Sequence, residues 1–108
     1  MSILVENESE LDQKLSKCPR QFVLFYASWC GFSKEFLPVY EKYSKGRENE
    51  FCRVLTDRTP ACERKYAIDV VPTVIYFENG RPAKRLDSIP GGGLEERQLS
   101  KLISSCAK

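Results

Sequence analysis

The chain of 108 residues has no histidine. Ser/His/Asp catalysis, Cys/His proteolysis and every His-containing zinc site are therefore excluded. Its five cysteines, Cys18, Cys30, Cys52, Cys62 and Cys106, never form a Cys-x-x-Cys pair. An odd, widely spaced set is neither a secreted disulfide framework nor a paired-spacing zinc site. Long apolar runs are missing too: the longest, Phe22 to Ala27, is strand-sized and too short for a membrane span or a signal peptide. Charge of one sign is also scarce, since 17 Lys+Arg against 15 Asp+Glu leave a net charge of +2. That is too mild for a nucleic-acid surface. The expected protein is intracellular and cytoplasmic, a monomer, with neither nucleic acid nor membrane as a partner. Carboxylate or cysteine chemistry is what remains.

The chain has enough apolar material for a core. At 42% hydrophobic and 30% charged residues, residues 1–108 are expected to fold as one domain, burying roughly two thirds of the unfolded surface without disulfides or metal. Ile3-Leu4-Val5 predicts a short edge strand, and Asn7 with Glu10 has capping-box spacing ahead of Leu11, Leu15 and Cys18 on one helical face. Pro19 ends that helix. Phe22 to Tyr26 is a continuous apolar run, as expected of a strand buried on both faces at the centre of a sheet. Phe36, Val39, Tyr40 and Tyr43 recur with helical spacing over about 33–44, with Pro38 expected to kink the helix. Phe51 to Leu55 reads as a strand, Thr59-Pro60 as a helix start, and Val74 to Phe77 as a strand. Asn79-Gly80 predicts a type I′ hairpin into a last strand near 83–86. After Pro90-Gly91-Gly92-Gly93, Leu99, Leu102, Ile103 and Cys106 outline a final amphipathic helix. The order predicts an α/β fold: a central mixed sheet of four to five strands, flanked by helices on both faces.

One cysteine stands apart from the rest. Cys30 follows the central strand and precedes a helix, where unpaired N–H groups and the macrodipole stabilise a thiolate over a thiol. Gly31 lets another chain approach the backbone, and the Ser33 hydroxyl is placed to donate a hydrogen bond to the sulfur. Cys30 is the expected nucleophile, with Trp29 beside it.

The segment Phe25-Tyr26-Ala27-Ser28-Trp29-Cys30-Gly31-Phe32-Ser33-Lys34 resembles the active-site segment of the thioredoxin family, whose usual form is Trp-Cys-Gly-Pro-Cys. Pro38 resembles the proline of that family's kinked helix, Val71-Pro72-Thr73 its cis-proline loop, Phe77 to Gly80 its Phe-x-Asn-Gly turn, and Leu94 to Leu99 the start of its last helix. The resemblance spans the whole chain. It implies a thioredoxin fold, no cofactor, a cis Pro72 lying against Cys30, and a backbone at Val71 that pairs with a protein thiol or disulfide presented in extended form. Trp29, Gly31, Phe32 and Thr73 are then motif or substrate-contact positions.

The chain departs from that family at two places. Ser33 stands where the resolving cysteine should be, and a hydroxyl cannot break a mixed disulfide. Leu24 stands where the family has its buried aspartate, which leaves Arg53, near the place of the family's partner lysine, without that carboxylate. Losing both parts of one half-reaction predicts a monothiol protein, because an engineered Cys→Ser trap would leave the aspartate in place.

Three functions are open on this basis. The first is thiol–disulfide exchange by Cys30 alone, with a mixed disulfide to protein or glutathione resolved by an external thiol. The second follows from Cys30-Gly31-Phe32-Ser33, which is identical to the signature of monothiol glutaredoxins and implies glutathione and a glutathione-ligated iron–sulfur cluster. Trp29, the extra first strand and helix, and the missing lysine between Gln21 and Trp29 favour thioredoxin over it. The third is a non-catalytic peptide-binding module with Phe32, Val71 and the 91–93 glycines as its rim. Among the other thiols, Cys62 is the candidate resolving group and Cys52 a weaker one, while Cys18 and Cys106 are expected in the core. Lys84-Arg85 and Glu95-Glu96-Arg97 are expected to be solvated surface.

Overall fold

The structure is a computed structural model and describes residues 1–106. In chain order it contains β1 (Ile3–Val5), α1 (Glu8–Lys17), β2 (Arg20–Tyr26), α2 (Gly31–Ser44), a 3-10 turn at Glu48–Glu50, β3 (Phe51–Leu55), α3 (Pro60–Lys65), β4 (Thr73–Glu78), β5 (Arg81–Asp87) and α4 (Glu96–Cys106). The five strands form one sheet in the order β1-β3-β2-β4-β5. β1, β3 and β2 run parallel, β4 pairs antiparallel with β2, and β5 antiparallel with β4. This is the mixed, two-sided α/β architecture that the hydrophobic pattern predicts.

β2 is central because it is apolar on both faces, and its alternation sorts the core into two layers. Val23 and Phe25 face Leu11 and Leu15 of α1 and Cys62 of α3. Phe22, Leu24 and Tyr26 face Phe36 and Tyr40 of α2 and Leu99 of α4. Each large side chain removed from water in this way contributes about 1.5–3 kcal/mol, so the middle strand is the rigid base of whatever follows it. Tyr40 is fully buried, and its hydroxyl reaches the carbonyls of Phe22 and Cys52 at 3.0 and 2.7 Å.

Boundaries differ from expectation in three places. Cys18 is not on a core helix face. Its backbone is extended, it caps α1 by donating its N–H to Lys14, and it is half-buried, because a residue before proline is steered out of the helical region. α2 starts at Gly31 rather than near Ser33 and runs through Pro38 to Ser44. β5 covers Arg81–Asp87, longer at both ends than predicted, since an exposed edge strand needs no hydrophobic alternation to pair. The hairpin is as the Asn-Gly pair requires, with φ of 53° at Asn79 and 81° at Gly80.

Candidate active site

β2 delivers the chain into the loop Ala27-Ser28-Trp29, and Cys30 is the N-cap of α2. The Cys30 carbonyl accepts from Lys34 N–H at 3.1 Å, while its side chain makes no capping bond. The thiol is therefore not spent on the helix. It donates instead toward the Val71 carbonyl at 3.7 Å. Val71 precedes Pro72 through a cis peptide bond. That loop is held by the Thr73 hydroxyl donating to the Val70 carbonyl at 2.7 Å and the buried Ser88 hydroxyl donating to the Pro72 carbonyl at 2.5 Å. Ser88 lies on the segment after β5, where no motif marks it.

Ser33 is fully buried, and no hydrogen bond joins it to Cys30 among the described residues. Its hydroxyl oxygen accepts the Ala27 N–H at 3.3 Å. The expectation that it donates to the sulfur is corrected: the side chain serves the end of β2 instead. Ala27 lies beyond the last β2–β4 pair, Phe25 with Thr73, and a buried N–H left without an acceptor costs about 1–3 kcal/mol.

A groove of about 220 Å³ opens beside Cys30. Trp29 (73% exposed), Phe32 (41%) and Ile89 (67%) form its apolar rim, and Val71 and Gly93 also line it. Gly93 has φ of 66°, and a Cβ there would stand 2.8 Å from Phe32 Cδ1, so the bare backbone is what lets Phe32 lie down at the rim. The loop before Cys30 has a second tether: Ser28 donates its N–H and hydroxyl to the Asp57 carboxylate at 3.3 and 2.8 Å. Those bonds hold the Asp57 carboxyl below its usual range. Sequence reasoning missed Asp57, because an Asp in a loop after a strand carries no signal of its own.

Leu24 is fully buried beneath α2. Arg53 takes its carboxylate from another element. Glu41 of α2 pairs with it at 3.1 Å, both side chains 15% exposed, and Arg53 also bonds to Ser2 and the Tyr26 hydroxyl. The charge is satisfied from the helix instead of from β2.

None of the other thiols shares the groove. Cys62 points into the opposite core layer with α1, fully buried, and burial raises its pKa. Cys62 is not among the residues that line the groove. Cys52 is in the same layer, its pKa pushed up to about 12 by burial. Cys106 is buried beside α4's partners. Cys18 precedes β2 while Cys30 follows it, which puts the two roughly 20 Å apart along the strand. The expected surface charges are more engaged than predicted. Glu96 accepts from Lys42 and Tyr43 of α2 at 2.5 and 2.9 Å, Lys84 donates to Ser105, and Arg85 donates to the Tyr66 and Ala67 carbonyls. Among the described residues no three Cys, Asp or Glu side chains converge to hold a metal ion, and no helix is long and apolar enough to cross a membrane.

Comparison with known proteins bears on the same fold and segment. The family model described as Thioredoxin matches residues 2–105. The thioredoxin of Mycoplasmoides gallisepticum is 37% identical over 94 residues, covering 85% of this chain and 94% of that protein. A Mycobacterium tuberculosis thioredoxin is 30% identical over 104 residues, covering 94% and 90%. A solved structure of Plasmodium falciparum thioredoxin superposes with a TM-score of 0.88 at 29% identity, covering 97% of this chain and 99% of that one.

Proposed function

The chain belongs to the thioredoxin family of redox proteins, and we propose that within it the protein exchanges thiols and disulfides through Cys30 alone. The observation that carries this is the thiol at the N-cap of α2, 9% exposed, which makes no capping bond and lines the groove at Val71, with a buried Ser33 one turn on and every other cysteine outside that groove.

A target peptide lies extended along Val71, whose carbonyl already meets the sulfur. The Cys30 thiolate attacks one sulfur of the target disulfide; that S–S bond breaks, and the departing thiolate takes a proton from water. A mixed disulfide now joins Cys30 to the target. An external small monothiol such as glutathione attacks it at the Cys30 sulfur and frees the target's second thiol. A second equivalent then attacks the resulting adduct, restoring Cys30 and leaving the reductant as its own disulfide. Two monothiols are oxidised and one target disulfide is reduced. No cofactor is needed, because the sulfur is both nucleophile and redox group. Trp29, Phe32 and Val71 act in positioning the target, Thr73 in holding the loop that carries Val71, and Gly31 in admitting it. Ser33 acts by holding the Ala27 amide, which keeps the loop before Cys30 in place. A cytoplasmic setting and a monomeric state accord with this scheme.

Residue-resolved alkylation by mass spectrometry, together with turnover of a protein disulfide, tests the proposal. Cys30 should be the first site alkylated in the folded protein, and Cys30→Ser should abolish turnover while Cys62→Ser leaves it intact. Ser33→Cys should raise turnover with a dithiol donor only in part, since Leu24 supplies no proton acceptor. Brisk turnover by Cys30→Ser would overturn it.

A further inference from the structure

The groove beside Cys30 is apolar at its rim and carries two carboxylates in its lining. Glu63 of α3, half-buried, and Asp69 on the loop before Val71 both line it, and no lysine or arginine does. Among the described residues neither carboxylate takes part in an ion pair. Of the neighbouring cations, Lys65 pairs with Glu8 and Asp12, and Arg64, beside Glu63, is exposed and does not line the groove. Two carboxylates thus line the groove with no cation in its lining.

We propose that these two carboxylates make the site selective for target peptides carrying a lysine or arginine next to the reactive sulfur, and disfavour acidic ones. The inference rests on the proposed role of Cys30 and adds the substrate class. An extended peptide pairing with Val71 presents alternate side chains to opposite sides. The side chains it meets include the apolar Trp29, Phe32 and Ile89 and the acidic Glu63 and Asp69. An apolar residue and a basic residue flanking the sulfur suit that lining. A glutamate in the basic position would meet two like charges with no cation in the groove lining. Charges of this kind act mainly on the rate of productive encounter, and their effect fades with salt.

Two cysteine peptides of equal length, one with Lys and one with Glu flanking the cysteine, are converted to mixed disulfides with thionitrobenzoate. Release of that chromophore by the reduced protein gives a rate for each. The readout is the ratio of the two rates on one protein, in which any change of thiol reactivity common to both cancels. The expected ratio is about tenfold in favour of Lys at low salt, falling to about twofold or less in 1 M salt and in Glu63→Gln/Asp69→Asn. Equal rates at low salt, or a preference that survives in the double variant, would overturn the proposal. Cysteine-to-serine versions of both peptides, titrated against the fluorescence of Trp29, the only tryptophan, separate the two levels of inference. Tighter binding of the Lys peptide without any chromophore release would keep the charge preference and sink the redox role. Release without preference would do the opposite.

Discussion

Ser33 shows how one residue can mean two things. In the motif it is an absence, the place of a second sulfur; in the fold it is the acceptor for the Ala27 amide at the end of β2. Only the first meaning was legible in the sequence, because the orphan amide depends on where β4 stops pairing. Arg53 follows the same logic. Its missing partner was legible at position 24, but its replacement, Glu41, lies on a helix whose facing surface requires the three-dimensional packing. Gly93 is the residue whose role the sequence concealed most. It sits in the one low-complexity stretch, yet it makes room for Phe32. Gly93→Ala should cost about 1–2 kcal/mol, from the left-handed backbone its φ of 66° demands. It should also lift Phe32 from the rim, slowing reaction with peptide disulfides more than with a small disulfide such as oxidised hydroxyethanethiol. Denaturant melts and the two rates check both parts.

At the scale of elements, strands and helices with apolar periodicity were readable almost to their ends, and those without it were not. β2 and α2 announce themselves through Phe22 to Tyr26 and the Phe36, Tyr40 stripe, whereas β5 is exposed along nearly its whole length and shows no apolar alternation. The 3-10 turn at Glu48–Glu50 carries no periodic signal at all. Tertiary ties such as Glu96 to Lys42 and Tyr43, which pin α4 to α2, were beyond pattern reading, since a Glu-Glu-Arg run looks like solvent-facing charge. β3 makes a prediction about pH. Burial raises the Cys52 thiol from 9.0 to about 12, so above roughly pH 9 the unfolded chain gives up a proton that the native state keeps. Stability must then fall as pH rises, by up to about 1.4 kcal/mol per unit for this one group. Cys52→Val, which removes the titrating group and keeps the volume close, should shallow that decline between pH 9 and 11. Urea unfolding across the range measures it, and identical slopes would show that Cys52 contributes none of it.

For the molecule as a whole, the sheet acts as a ruler for its sulfur atoms. Its central strand holds Cys18 at one end and Cys30 at the other, while Cys52, Cys62 and Cys106 are inside the layers that the strand separates. The count of thiols was visible at once. That a single one of them meets the groove at Val71 follows from which face each strand and helix turns inward. The central claim, that no second thiol answers Cys30, is tested most directly by treating the reduced protein with glutathione disulfide and following intact mass and peptide maps. The account predicts a lasting adduct of one glutathione on Cys30, removed only when external thiol is added. An adduct that collapses into an intramolecular disulfide, with loss of glutathione and two hydrogens from the protein, would contradict it.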